Sequence, residues 1–309
     1  MKNQKTPNAQ IPFSLLCLIP IIIIFSFVVA RRAIAEETHS SEQKTGAEKW
    51  IHPSQNSEQQ ATWKQDDWKF TIGLGTMYKP AFLGSKDYQM MAFPNIKIEY
   101  KDRFFASPFG AGYKVIHNEN FSIGPIIKLD FGRKEDNNNP FRIAGKNTNA
   151  LRGLGNVDAT IELGGFVEYS IGPFTYQLEL RQGLGGHKGF IAETGLNLKG
   201  FIEKSGKPIM YSFGPRATFA DANYNNAYFG ISKNQSTNSG LSRYDAVAGL
   251  VSYGVAGFVA VPVMDSFSIG VFGGYDRLAR VASDSPLIKK RGDANQFTGG
   301  MRITYEFGF

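Results

Sequence analysis

From Trp68 to the last residue, apolar and polar positions alternate with a period of two. Phe121, Ile123, Ile127, Leu129 and Phe131 alternate with Ser122, Gly124, Lys128 and Asp130. Ile161, Leu163, Val167, Tyr169 and Ile171 alternate with Thr160, Glu162, Glu168 and Ser170. The same pattern runs through Phe174–Arg181, Ile209–Phe219 and Met301–Phe309. Successive strand side chains point to opposite faces, so this pattern predicts strands with one apolar and one polar face. No stretch after Trp68 shows a convincing helical period of 3.6.

Eleven runs can be delimited: 68–78, 88–99, 103–116, 119–134, 156–171, 173–186, 189–203, 207–220, 246–262, 265–280 and 295–309. They are about 10–15 residues long, against the usual 5–6 of soluble strands and about 9–11 for a tilted transmembrane strand. The gaps alternate between short (100–103, 117–120, 171–174, 204–208, 263–267) and long (79–87, 135–155, 221–245, 281–294), with a moderate one at 186–189. Short turns on one side and long loops on the other are the asymmetry of outer-membrane barrels. Eleven strands would put two short turns on opposite faces. Splitting 103–116 at Pro108-Phe109-Gly110 restores the alternation, and Pro supports a break inside a strand. The expectation is an all-β, antiparallel transmembrane barrel of twelve strands spanning 68–309, with ten as the alternative.

The N-terminus differs. Lys2 and Lys5 precede an apolar run from Ile11 to Ala30, and Ala33-Ile34-Ala35 gives a small-x-small cleavage pattern. Residues 1–35 read as a secretory signal cleaved after Ala35. The alternative is an uncleaved anchor, since about 20 apolar residues span a bilayer. Residues 36–67 are polar, with Trp50 and Trp63 isolated, and read as a flexible leader.

Composition fits this division. The chain has 309 residues, 34 Lys+Arg against 27 Asp+Glu, and a formal charge of +7. The segment 1–35 holds Lys2, Lys5, Arg31 and Arg32 and no acid, so the mature chain carries only +3. Nothing concentrates the cations as a nucleic-acid binder would. The single Cys, Cys17, lies in the signal, which excludes a disulfide framework and a Cys-rich metal centre. No cofactor and no metal are expected. Of 34 Gly, all but Gly46 follow Trp68, where they would give lumen space and tight turns.

Several residues carry candidate roles. The polar faces place Lys128, Glu162, Glu168, Glu179, Arg181, Arg216, Asp276, Arg302 and Glu306 in the lumen, where opposite charges would pair across strands. Twelve strands lie between a filled eight-stranded interior and an open sixteen-stranded channel, which suits a narrow or plugged pore. Ile303, Tyr305, Phe307 and the terminal Phe309 form an aromatic-ended last strand of the kind read by barrel-assembly machinery. His187, in Gly183-Leu184-Gly185-Gly186-His187-Lys188-Gly189, is the one catalytic candidate, but no ordered Ser/His/Asp set accompanies it. Lys289-Lys290-Arg291 reads as a solvated loop cluster, with lipopolysaccharide contact as the alternative.

The segment Tyr78-Lys79-Pro80-Ala81-Phe82-Leu83-Gly84-Ser85-Lys86-Asp87-Tyr88 resembles the first-loop motif of the MipA/OmpV family, the MltA-interacting outer-membrane proteins. Asp102-Arg103-Phe104-Phe105, Gly110-Ala111-Gly112-Tyr113, Asp130-Phe131-Gly132-Arg133, Leu180-Arg181-Gln182-Gly183, Tyr228-Phe229-Gly230 and Ser285-Pro286 follow in the family's order. Lys86 and Phe82 depart from the usual acidic residue and Tyr. The resemblance implies a Gram-negative outer-membrane barrel in contact with lipid and lipopolysaccharide. It also implies a non-enzymatic scaffold between a lytic transglycosylase and a penicillin-binding protein. Tyr78, Pro80, Gly84, Ser85, Asp87 and Tyr88 would then be a candidate interaction motif, although a rigid hairpin loop explains them as well. A narrow diffusion channel is the second reading of function, and a barrel hydrolase using His187 the third.

Overall fold

The structure is a computed structural model. It describes residues 67–309 except 137, 138, 140, 146, 147, 205 and 206. The expected signal at 1–35 and the leader at 36–67, Asp67 apart, lie outside the described residues.

The strands are β1 (Trp68–Pro80), β2 (Tyr88–Tyr100), β3 (Phe104–Ser107), β4 (Gly110–Tyr113), β5 (Ile116–His117), β6 (Phe121–Asp130), β7 (Arg142–Gly145), β8 (Thr160–Ile171), β9 (Phe174–Gly185), β10 (Phe190–Lys204), β11 (Lys207–Ala220), β12 (Gly249–Pro262), β13 (Phe267–Leu278) and β14 (Asn295–Gly308). Each ring strand pairs antiparallel with its neighbour, and β1 pairs with both β2 and β14, which closes the sheet. The small β5 and β7 only flank β6 and β2, so twelve strands form the wall. The break at Pro108-Phe109 is the β3–β4 hairpin, and ten strands is excluded.

That hairpin is short. β3 meets β2 only from Ile98 to Tyr100, while β7 takes the same edge at Gln89–Met91. Pro94, which has no N–H to offer, lies in the stretch between. The hairpin tip carries Phe109, whose ring meets Phe93 at 6.4 Å and Phe131 at 6.2 Å between centroids.

The outward face is apolar: Ile72, Leu74, Ile161, Leu163, Phe213, Val255, Val271, Met301 and Ile303 are all exposed. Lipid is the solvent this face fits, because a barrel leaves no backbone edge unpaired in hydrocarbon. Aromatic residues are not confined to it. Phe93, Phe105 and Phe272 point inward over Gly75, Gly112 and Gly300, where a Cβ would stand within 2.5 Å of the ring. The glycines are the space into which these rings pack.

The turn end of the barrel has tight connections, with Lys101 and Asp102 in the left-handed region. The loop end is built differently. Four short helices lie there: α1 (Ala222–Phe229), α2 (Lys233–Ser239), α3 (Arg280–Ser283) and α4 (Pro286–Arg291). Asp221 caps α1 through the Tyr224 N–H, and Ser232 with Gln235 forms a capping box on α2. They are too short to display a helical period, which is why the sequence pattern showed none.

Candidate functional site

The loops of the loop end pack into one apolar cap. Ala81 and Phe82 come from the first loop, and Leu151, Leu154 and Val157 from the segment between β6 and β8. Tyr224, Tyr228, Phe229, Ile231 and Leu241 come from the β11–β12 connection, and Ala282, Leu287 and Ile288 from the β13–β14 connection. Phe229, Leu151 and Ala282 are fully buried. Each large apolar side chain so buried contributes about 1.5–3 kcal/mol. Polar ties cross between the loops. Ser285 Oγ donates to the Phe229 carbonyl at 2.6 Å, Arg133 Nη1 to the Tyr228 carbonyl at 2.6 Å, and Gln235 Nε2 to the Leu154 carbonyl at 2.6 Å. Arg291 donates to the carbonyls of Ala150 and Arg152 at 2.9 and 3.2 Å and to that of Ser239. The basic cluster is therefore not a uniformly solvated run: Arg291 is a cross-link of the cap, while Lys289 pairs with Asp284 at 2.8 Å.

Burial shapes the protonation of the cap. It pushes the Arg133 guanidinium down to about 10, still charged at neutral pH. It pushes the Tyr224 and Tyr228 phenols up, so both stay neutral.

Beneath the cap lies an ion-pair network on the inner wall. Arg181 Nε donates to Glu162 at 2.7 Å, and its Nη1 meets Glu179 and, at 2.9 Å, Glu193. Lys128 reaches Glu179 at 2.5 Å and Glu193 at 3.7 Å. Register explains the gathering, because Lys128 opposes Glu162 and Glu193 opposes Glu179 on neighbouring strands. Arg216 grips Asp276 with two nitrogens, one at 2.9 Å. Gln177 donates to Glu168 at 2.8 Å and accepts from Asn197 at 3.0 Å. Arg302 stacks on Phe258 at 4.4 Å, and Glu306 is exposed near the turn end. The structure thus gathers Lys128, Glu162, Glu179 and Arg181, pairs Arg216 with Asp276, and leaves Arg302 and Glu306 apart. Sequence reasoning missed Glu193, although it shares the period-two phase of Asn197.

His187 joins the network to the cap. The Gly189 N–H donates to its Nδ1 at 3.0 Å, so the ring proton sits on Nε2, which donates to Glu162 Oε1 at 3.1 Å. Its ring lies against Tyr224 and Tyr228. Asp130 is 4.0 Å away and is already bound by the Tyr228 hydroxyl at 2.6 Å and the Gly132 N–H at 2.7 Å. Asp130, Glu162 and His187 have the donor types of a metal site. Yet every one of those atoms already serves a partner, and a metal on Nε2 would have to displace its proton. Both ring nitrogens meet Glu162 and a backbone amide, not a hydroxyl nucleophile. The geometry is that of a fastening.

The first-loop motif is likewise a fastening. Gly84 has φ +92°, and its N–H donates to Gln296 Oε1 at 2.9 Å. Ser85 is fully buried, bridges Gly292, and accepts from the Asp87 N–H at 3.0 Å. Tyr78 and Tyr88 stack at 4.9 Å, and the Tyr88 hydroxyl accepts from the Phe297 N–H at 3.1 Å. Pro80 lines the lumen below. At the other end of β14, Phe307 and Phe309 stack on Phe70, both at 5.4 Å, Tyr305 lies 5.8 Å from Phe307, and Ile303 is exposed outward.

Beneath the cap, and lined in part by the network itself, the lumen holds a cavity of about 540 Å³. Its lining includes Lys79, Gln177, Glu193, Asn197, Arg216 and Thr298.

A NanC porin covers 76% of this chain and 98% of its own at 6% identity and a TM-score of 0.40. An outer membrane channel from Pseudomonas putida F1 covers 85% and 100% at 9% identity and a TM-score of 0.39. In sequence, the outer membrane protein Omp26La of Vibrio anguillarum is 28% identical over 160 residues, 52% of this chain and 59% of that relative. The match therefore spans less than two thirds of that protein's length. The family described as MltA-interacting protein MipA matches residues 72–307, nearly the whole wall and all four cap loops. The chain is an outer-membrane β-barrel that belongs to the MipA family.

Proposed function

We propose that this barrel is a closed, non-enzymatic scaffold that holds a murein-cleaving lytic transglycosylase near a murein synthase at the inner face of the outer membrane. The observation that carries this reading is the packed cap at the loop end of the barrel, with Phe229, Leu151 and Ala282 fully buried in it. A sealed barrel suits anchoring better than transport. The family's description supplies the hydrolase partner. Short turns of such barrels face the periplasm, so the turn end and the segment before Trp68 are the docking side. Export would be directed by the N-terminal signal, with cleavage after Ala35 accompanying it, which the mass of the mature N-terminus tests.

The experiment is mild in-cell crosslinking followed by identification of captured proteins. Enrichment of a lytic transglycosylase and a penicillin-binding protein is expected. No enriched murein enzyme sinks the scaffold reading. The cavity under the cap favours the rival, a narrow diffusion channel. Planar-bilayer recording separates the two, because a scaffold with a sealed mouth gives no conductance above background.

A further inference from the structure

The cavity beneath the cap is not a leftover of barrel geometry. Its volume of about 540 Å³ falls in the range of small-molecule sites, about 300–1,000 Å³. The lining is chemically divided. Lys79, near the end of β1, projects into it and has no carboxylate at ion-pair distance among the described residues. Glu179 and Glu193 lie on β9 and β10, and β10 sits five strands from β1 around a ring of twelve, so they face Lys79 across the lumen. Glu193 is held by Arg181 and Lys128 yet keeps 43% of its side chain exposed. Its position is therefore fixed while its carboxylate remains open to the chamber.

Between these poles lie neutral hydrogen-bonding groups. Asn197 donates to Gln177, and its side-chain carbonyl has the chemistry to accept. Thr218, Ser252 and Thr298 present hydroxyls to the same space. Arg216 is neutralised by Asp276, so it adds donors without adding net charge. One unpaired cation faces a pre-positioned anion over a rim of amides and hydroxyls. Such a chamber complements a solute with a carboxylate at one end, an ammonium at the other and a polar middle.

We propose that the chamber binds a small zwitterion of the amino-acid or short-peptide class. Lys79 takes the carboxylate, Glu193 takes the ammonium, and Asn197 with the hydroxyls takes the intervening amide. At about 3.4 Å per extended residue, a dipeptide is short enough to lie inside the cavity. The cap covers the loop end, so the solute enters from the periplasmic turns. This site is separate from any docking on the outside of the turn end.

The test is titration calorimetry on the full-length barrel refolded in lipid nanodiscs, with folded protein selected by heat-modifiable migration. The probes are dialanine, N-acetyl-dialanine (anion only) and dialanine amide (cation only). Saturable binding of dialanine is expected, with each blocked analogue weaker by tenfold or more. Lys79→Met and Glu193→Gln should each weaken dialanine by a similar factor. Thr298→Tyr touches no charge and fills the chamber, and should abolish binding. Three results overturn the proposal: no saturable dialanine binding, equal binding of the three probes, or undiminished binding by Lys79→Met. Crosslinking to murein enzymes in the Lys79→Met strain reports on the scaffold reading independently.

Discussion

Ala282 offers a direct measure of how tightly the cap is shut. It is fully buried in the cap, and Cys17 is the sequence's one cysteine, so Ala282→Cys in a Cys17→Ser background gives a single, nearly isosteric reporter. A membrane-impermeant maleimide can reach it only when the cap opens, and its labelling rate scales with the open fraction. Phe229→Ala removes a fully buried ring beside it. Deleting a buried Phe costs about 3–5 kcal/mol, and every 1.4 kcal/mol is tenfold in population. Labelling should therefore accelerate by about 140- to 3,700-fold. The barrel wall does not depend on Phe229, so heat-modifiable migration should be unchanged. Ile72→Ala, on the lipid-facing side, is the control and should leave labelling as it was. Rapid labelling of the parent Ala282→Cys protein, or equal rates with and without Phe229, would refute a cap held shut by its apolar core.

Other expectations follow from the same geometry. Arg181→Met leaves Glu162, Glu179 and Glu193 without their shared cation; breaking a buried pair this way costs about 3–5 kcal/mol, read as a lower temperature for loss of heat-modifiable migration. Gly183→Val places a side chain on the His187 ring, since even a Cβ there would come within 2.2 Å of it; His187 leaves its pocket, and protease nicking of the β11–β12 connection rises. Tyr224 and Tyr228 are held neutral by burial, so above the ordinary phenol range near 10 only the opened cap loses their protons. Each phenol then lowers cap stability by up to about 1.4 kcal/mol per pH unit above about pH 10, while Arg133, pushed down to about 10 by burial, raises it over the same range; Tyr224→Phe removes one phenol contribution and should slow Ala282→Cys labelling above about pH 10 relative to the parent. Arg291→Ala should loosen the cap, whereas Lys290→Ala, whose side chain makes no tie across the loops among the described residues, should not.

The wall was legible because a strand's two faces are written residue by residue. Met301, Ile303, Tyr305 and Phe307 alternate with Arg302, Thr304 and Glu306, and the structure sends them out and in accordingly. The Pro108-Phe109 break was legible for the same local reason. The cap was not. Its ties join Ser285 to Phe229 and Arg291 to Ala150, residues 56 and 141 positions apart. Its helices are shorter than the window in which a helical period shows. Inward rings such as Phe272 over Gly300 also escaped notice, because glycine carries no sign of which face it belongs to. Glu193 was overlooked because one carboxylate among apolar neighbours says little until its register partner Glu179 is known.

The tie between the first loop and the last has a consequence for assembly. Gly84 donates to Gln296 and accepts from the Asp293 N–H, and Ser85 bridges Gly292. These residues flank the seam where β1 meets β14, the two strands farthest apart along the chain. A wall still unzipped at that seam holds the tie open, and Phe82 and Ile288 cannot meet over the lumen. The first loop's share of the lid thus requires a closed seam, a stamp of completed closure. A protease outside the cell could read that stamp, cutting barrels whose ends never joined and sparing those that are finished.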